Sequence, residues 1–440
     1  MNNVLQLPTS WQIKTLGEVL NYEQPTKYIV KSTKYNDSYK TPVLTAGKSF
    51  ILGYTDELEG IFTQIPVIIF DDFTTDTKFV DFKFKVKSSA MKILHSKENA
   101  DIKFIYYFMQ TIRHRSDTHK RYWISEYAKI KIPLPPLEIQ KRIVARLESA
   151  FEKIEKGSAH LQDAKTKLAK YKQSLLKSAF DGTLTATASL RGVEKAEAIH
   201  KVDCHKSANA NFHNDDKSVD CHDLTSSNLA MTDKENPKLP QGWTIKTLGE
   251  VCEICTGNSI NKEKKEKEFM GLKEGLNYIA TKDIGFDNTI NYDNGVKIPF
   301  KDLKKFRVAK ANVSLLCIEG GSAGRKIGFT NQEVCFVNKL CCFEALQDEP
   351  KFIYFYLQSS YFLQKFNLNM SGLIGGISKE KIKQIKIPLP PLETQKQIVK
   401  LLEKHLQHAD KTGKFIESAL NKAKQLKQSL LKSAFLGKLT

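Results

Sequence analysis

From position 140 a stripe runs through the chain at alternating spacings of three and four: Gln140, Ile143, Leu147, Ala150, Ile154, Gly157, Leu161, Ala164, Leu168, Tyr171 and Leu175. That rhythm is the inner seam of a coiled coil. It recurs 255 positions on, as Gln395, Ile398, Leu402, His405, Ala409, Thr412, Ile416, Ala419, Ala423, Leu426 and Leu430. The spacing predicts two long helices, the first over 137–180 and about 66 Å long at 1.5 Å per residue. Pro136 suits a first helical turn, Glu138 puts a carboxylate near the positive end of the dipole, and Gly182 and Gly437 stand where left-handed caps would end the helices. A helix this long cannot bury its whole stripe on its own small head, so its expected partner is the other copy, antiparallel; the plain alternative is that each stem packs separately on its own head. Ile143, Leu147, Ile154, Leu161, Leu168 and Leu175 would face Ile398, Leu402, Ile416, Leu426 and Leu430.

Ahead of each helix the pattern changes to short apolar or alternating runs broken by turn signals. In the first head these include P-V-L-T-A-G-K at 42–48, P-V-I-I-F-D-D at 66–72 and K-F-V-D-F-K-F-K-V-K at 78–87; the last predicts a half-exposed strand. Residues 104–112 predict a short helix. In the second head 313–318 predicts a strand and 351–366 a helix.

The copies are held together by shared strings. K-I-P-L-P-P-L-E stands at 131–138 and 386–393, K-Q-S-L-L-K-S-A-F at 172–180 and 427–435, and W-x-I-K-T-L-G-E-V begins at Trp11 and Trp243. The offset is 232 at the opening, 248 between Phe104 and Phe352, and 255 through the helices, so insertions accumulate inside the heads while the stems keep one register. The expected fold class is α/β (α+β). Two mixed α/β domains in tandem are each followed by a long helix, and the helices pair as an antiparallel coiled coil with pseudo-two-fold symmetry. The expected segments are a first head at 1–131, a central helical spacer at 132–185, a polar linker at 186–236, a second head at 237–386 and a C-terminal spacer at 387–440. P-x-x-P directly before both helices reads as a rigid strap that aims each stem.

Composition narrows the partners. With 68 Lys+Arg against 49 Asp+Glu the net charge is +19 over 440 residues, which favours polyanions, nucleic acid first. No apolar run is long enough to span a bilayer, and the opening residues do not read as an export signal, so a cytoplasmic location is expected. All 8 cysteines follow residue 203, which argues against a disulfide framework serving both halves.

Several patterns point weakly to chemistry. Cys204, His205, Cys221 and His222 lie in the linker but lack the usual zinc spacing, and Cys252 with Cys255 forms a lone C-x-x-C better read as buried thiols. Asp71 followed by Asp81-x-Lys83 is only loosely like a nuclease carboxylate set. No methyltransferase tetrapeptide, ATP loop or nucleophile and base set stands out, so no catalytic residue and no metal ligand is assigned. The chain reads as a binder. Its candidate DNA contacts in the second head are Gly321, Ser322, Arg325 and Lys326 of G-G-S-A-G-R-K-I-G, where glycines allow close backbone approach and the cations reach phosphate or a guanine edge. In the first head they are Lys40, Thr45, Lys48, Thr74, Thr75, Lys78, Arg113, Arg115, Arg121 and Tyr122. A hairpin turn and a solvated charge run are the plain alternatives. The competing functional classes are a coiled-coil scaffold with two protein-binding heads and a stand-alone metal-dependent nuclease.

Two unlike heads, each followed by I-P-L-P-P-L-E-x-Q and a long helix ending in K-Q-S-L-L-K-S-A-F, closely resemble the specificity subunit of type I restriction-modification enzymes. V-I-I-F-D-D-F-T-T from Val67 and G-G-S-A-G-R from Gly320 are similar to that family as well; the long linker is the departure. The resemblance implies two target-recognition domains, each reading half of a bipartite double-stranded DNA site, with the helices setting the spacing and docking two methyltransferase subunits. It also implies restriction and translocase partners, with S-adenosylmethionine, ATP and Mg²⁺ bound by those partners and none by this chain.

Overall fold

The computed structural model describes residues 8–45, 49–97, 99–112, 121–185, 239–371 and 375–439. The linker at 186–236, with Cys204, His205, Cys221 and His222, lies outside the described residues, as do Lys48, Arg113 and Arg115. The chain divides into two compact units. One comprises residues 1–165 and 414–440, the other 166–413. Each unit therefore holds one head, the start of that head's own long helix and the end of the other.

In the first unit the head carries a four-stranded antiparallel sheet, in which Leu20–Glu23 pairs with Met91–Ser96, which pairs with Val67–Asp71, which pairs with Thr77–Val80. A three-stranded sheet joins Ile51–Thr55, Thr41–Leu44 and Lys85–Val86. The expected strand at 78–87 breaks in two, Thr77–Val80 in the first sheet and Lys85–Val86 in the second, and Lys85 points inward. It is 1% exposed, and its Nζ lies 2.8 Å from Glu57 and donates to the Glu59 carbonyl at 2.5 Å. A buried ammonium needs such partners.

The second unit's head has two four-stranded sheets. Cys252–Thr256, Leu340–Ala345, Ser314–Cys317 and Ile327–Phe329 form one, and Lys297–Ile298, Leu276–Ile279, Val334–Phe336 and Val308–Ala309 the other. The expected helix at 351–366 is two, Pro350–Tyr356 and Ser360–Asn369. Ser359 stops the run by capping the second, its hydroxyl accepting from the Phe362 amide at 3.3 Å.

The shared strings make the same joint twice. K-I-P-L is a β-strand paired with the opening: Gln12–Thr15 lies antiparallel to Lys131–Leu134, and Thr244–Thr247 to Lys386–Leu389. T-L-G-E then closes a capping box, in which the Thr15 amide donates to Glu18 at 2.6 Å and the Thr247 amide to Glu250 at 2.7 Å. The string packs closely at its glycine: a Cβ on Gly17 would sit 3.1 Å from the Ala128 carbonyl oxygen, and one on Gly249 3.1 Å from the Lys383 Cβ, so a side chain there would push its neighbour aside.

Both long helices form as expected, Leu137–Phe180 and Leu392–Phe435, of 44 residues each. They run antiparallel. In the first unit Glu155 meets Lys427 at 2.6 Å and Lys165 meets Glu417 at 2.9 Å, so one index rises as the other falls. In the second, Lys172 pairs with Asp410 and the Tyr171 hydroxyl lies 3.3 Å from His405 Nδ1. Ile398, Leu402 and Ile416 are buried along this seam, whereas Ile154, Leu161, Leu168 and Leu430 are half-buried.

Each head is closed by the far end of the other copy's helix. Phe435 packs on Phe104 and Phe108, with ring centroids 5.0 and 5.3 Å apart, and Leu431 and Ala434 join that core. Phe180 packs on Phe352 and Tyr356 at 5.1 and 5.3 Å, beside Leu175, Leu176 and Ala179. Ile143 and Leu147 belong to the first head's core as much as to the helix seam. The stripe consequently rotates in the last turns. Leu426 is 50% exposed and Tyr171 44%, a correction to the expected seam; the adjacent Lys427 and Lys172 turn inward instead. The drift of a 3.6-residue helix against a strict heptad, plus the pull of the head's core, accounts for that rotation. Gly182 and Gly437 do adopt left-handed φ of 80° and 70°, and side chains there would strike Pro240 and Pro8 of the two openings.

Candidate nucleic-acid interface

In the second unit the glycine-rich string is the turn of a hairpin between Ser314–Cys317 and Ile327–Phe329, with Leu316 opposite Ile327. Backbone bonds knit it tightly. The Gly324 amide donates to the Cys317 carbonyl at 2.8 Å, the Arg325 amide to Ser322 at 3.0 Å, and the Gly320 amide to Gly375 at 2.8 Å. Gly320 and Gly324 take left-handed φ of 85° and 69°, which an ordinary side chain would strain. A Cβ on Gly320 or Gly321 would meet nothing within 4 Å, so this part of the turn lies open to a partner. Gly321 and Arg325 are exposed; Ser322 and Lys326 are half-buried. Arg325 Nη1 reaches the Gly321 carbonyl at 3.4 Å and Lys326 Nζ the Thr281 carbonyl at 3.1 Å. Both cations lie against the Phe286 ring, at 5.1 and 4.9 Å from its centre. The hairpin is thus a rigid, open-topped turn with two cations at its side, suited to phosphate and base edges.

In the first unit the matching feature is the turn after Val67–Asp71. Asp71 accepts from the Phe73 and Thr74 amides at 2.8 and 3.1 Å, which fixes the turn and gives that carboxylate a structural task. Thr75 sits at φ 65°, a conformation few β-branched residues adopt, and Thr74 is exposed. Asp72 ties the turn down from below, with its carbonyl taking the Tyr122 amide at 3.0 Å, its side chain the Trp123 amide at 2.8 Å, and Lys92 3.5 Å away. Lys78 Nζ stands 6.0 Å from the Phe50 ring, and the Thr45 amide donates to the Phe50 carbonyl at 3.0 Å, so Thr45 and Lys78 converge beside Phe50. Arg121 is exposed immediately before the short helix Tyr122–Ser125. Lys40 does not join this group; it lies at the other end of Thr41–Leu44, about 16 Å from Thr45 along an extended strand. Tyr122 is a correction. At 2% exposure it is core, where its backbone anchors the Asp72 turn, and no nucleic acid can reach its ring.

Among the described residues no three His, Cys, Asp or Glu side chains converge as metal ligands. Cys252 is buried in the second head. Cys255 stands directly across from Cys342 on the neighbouring strand; the Cys342 thiol's hydrogen bond, opposed by burial and helped by Arg307, pushes Cys255 down to about 7. Cys342 is pushed up by the same bond.

Periodicity alone puts two residues of the stem on the helix seam, and both do something else. Gln140, fully buried, accepts from the Asp101 amide at 2.7 Å and donates to the Asn99 and Pro135 carbonyls at 3.0 and 2.7 Å. Gln395, 1% exposed, accepts from the Glu349 amide at 3.0 Å and donates to Asp348 at 2.8 Å and the Pro390 carbonyl at 2.9 Å. Asp101 and Glu349 precede the head helices Ile102–Met109 and Pro350–Tyr356. Each glutamine therefore clasps strand, stem and head helix at one point. A salt bridge reinforces each clasp: Lys103 with Glu148 at 2.7 Å, and Lys351 with Glu403. The signal that could have found them is a polar residue at an identical place in both copies of I-P-L-P-P-L-E-x-Q.

Two heads of different sequence, joined to two helices through one repeated clasp, define a class. The family model for the type I restriction modification DNA specificity domain matches residues 8–161 and again 240–421, and the chain belongs to that family. It is 47% identical over 174 residues to the EcoR124I/EcoR124II specificity subunit of Escherichia coli, covering 37% of this chain and 43% of that one. It is 24% identical over 324 residues to the EcoBI specificity subunit of the same species, covering 70% of this chain and 58% of the relative. The matches thus span about half the length of these relatives. In fold it resembles a chain from a solved type I R-M system (TM-score 0.65, 20% identity, 98% of this chain and 99% of that one). It also resembles the HsdS subunit from Thermoanaerobacter tengcongensis (TM-score 0.51, 20% identity, 99% of each chain).

Proposed function

We propose that this chain is the DNA sequence-recognition subunit of a type I restriction-modification complex. Each head reads one half of a bipartite, asymmetric double-stranded site. The paired helices set the distance between the halves and dock two methyltransferase subunits, with restriction and translocase subunits completing the assembly. S-adenosylmethionine, ATP and Mg²⁺ belong to those partners, and this chain contributes no catalytic group. The reading places it in the cytoplasm; among the described residues no helix is long and apolar enough to cross a membrane.

The observation that carries the proposal is the joint repeated in both units. Gln140 and Gln395 fix unlike heads to like stems by two equivalent bonds each, from the amide before the head helix and to the strap's proline carbonyl, which suits a reader with exchangeable heads and a constant frame. A +19 chain with two open polar turns supplies the electrostatic part. The test is co-expression with a methyltransferase subunit, copurification, and protection of DNA by the isolated complex. A stable complex that protects a split sequence supports the reading; a chain that neither captures the methyltransferase nor protects a split site refutes it. Mobility shift alone would not suffice, because so basic a chain binds DNA non-specifically.

A further inference from the structure

We infer that Phe286 is a specificity-determining DNA contact of the second unit, its ring meeting the bases while Arg325 and Lys326 hold the flanking phosphates. The inference rests on the DNA-reading function proposed above and adds to it a residue that no charge or glycine pattern marks.

Phe286 is 62% exposed, so its ring is accessible to a partner. It is not loosely held. Its loop is closed by a bridge between Ile284 and Ile290, by the Gly285 amide donating to the Thr289 carbonyl at 2.9 Å, and by Asn288, at φ 66°, bonding Gln358 at 2.8 Å. The one acidic side chain of the loop, Asp287, accepts from Thr289 at 2.7 Å. Ile284 is fully buried, and the loop lies directly on the glycine-rich hairpin: a Cβ on Gly328 would come within 2.4 Å of Ile290. The core thus anchors the base of the loop and leaves the ring at its tip.

Around the ring stand the Arg325 guanidinium at 5.1 Å and the Lys326 ammonium at 4.9 Å. Cations draw to a π face, but two on one exposed ring also keep it clear of apolar protein partners and attract polyanions. An exposed apolar ring with two cations beside it is an arrangement that can meet a base, or wedge a base step, while the cations meet nearby phosphates. The adjacent Gly320 and Gly321, open on their outer side, allow the DNA backbone to come close.

The experiment uses the full chain in its complex with the methyltransferase. Methylation mapping of host DNA identifies the site, and binding is then measured to a duplex carrying it and to one with the second unit's half scrambled. Phe286→Ala is expected to weaken binding to the mapped duplex about 5- to 150-fold, the range for losing one base–aromatic contact, with little change on the scrambled duplex. Phe286→Tyr, which keeps the ring, is expected to hold the site; because position 286 is exposed, both variants should keep the wild-type melting temperature. Wild-type binding by Phe286→Ala, or an equal loss on both duplexes, overturns the inference while the recognition function stands. Absence of any split motif in the wild-type map removes that function, and the inference with it.

Discussion

Replacing Gln395 by leucine tests the clasp. The side chain is 1% exposed and makes three hydrogen bonds, to the Glu349 amide, the Asp348 carboxylate and the Pro390 carbonyl. Leucine has a similar volume, so the cavity effect is small. What remains is the desolvation penalty of two backbone groups left without a partner in a closed site. At about 1–3 kcal/mol for each, the loss is about 2–6 kcal/mol, set against a small gain from burying an apolar side chain. Because the chain has two units, a single unfolding free energy is poorly defined, and local measurement is better. Hydrogen exchange of peptides spanning 346–358 and 386–400 should accelerate strongly in Gln395→Leu, while peptides of the first unit keep wild-type rates. Gln140→Leu should do the reverse, and the double variant should show the two effects side by side, since the sites share no partner. Unchanged exchange around Glu349, together with a melting temperature equal to wild type, would refute the reasoning: the glutamine would then be filler.

Other outcomes follow from the same structure. Phe435→Ala removes a ring packed on Phe104 and Phe108 and should cost about 3–5 kcal/mol, seen as a lowered first-unit melting transition; an unshifted transition would deny that the second helix closes the first head. Arg325→Ala and Lys326→Ala should each flatten the salt dependence of DNA binding by about one unit of slope if they meet phosphate, and relax base choice at one position if they meet an edge. An unaltered slope and an unaltered methylation motif would leave the hairpin a plain turn. The Cys342 hydrogen bond lowers the Cys255 pKa below the usual thiol value, so its alkylation by iodoacetamide should begin at lower pH than, and precede, that of buried Cys252, Cys335 and Cys341. Alkylation of all cysteines at one rate would contradict that environment.

The helices, their ends and their antiparallel partnership were legible because a heptad stripe and its duplication leave few other ways to bury apolar area. The capping glycines were legible for a similar reason, since only a positive φ explains Gly182 and Gly437 in that position. Periodicity failed where two surfaces compete for one helix. Leu426 fits the heptad, yet the head's core turns Leu431, Ala434 and Phe435 inward and leaves Leu426 half exposed. It failed again at Gln140 and Gln395, where position on the stripe hid a hydrogen-bonding task. In the heads, alternation misread Lys85, because a buried ion pair looks from sequence like an exposed charge. Among candidate contacts, Thr45 and Lys78 converge because Phe50 lies between them in space, which spacing cannot show. Tyr122 was misplaced because a basic neighbourhood says nothing about which way a ring points.

The central claim is modularity: two independent readers on one frame. It is tested most directly by exchanging the first head, residues 1–131, for that of another family member, expressing the chimera with its methyltransferase, and mapping methylation across a genome. The account predicts a motif in which one half-site changes while the other half and the spacing persist. A chimera that alters both half-sites, in a complex that still assembles and methylates, would contradict it.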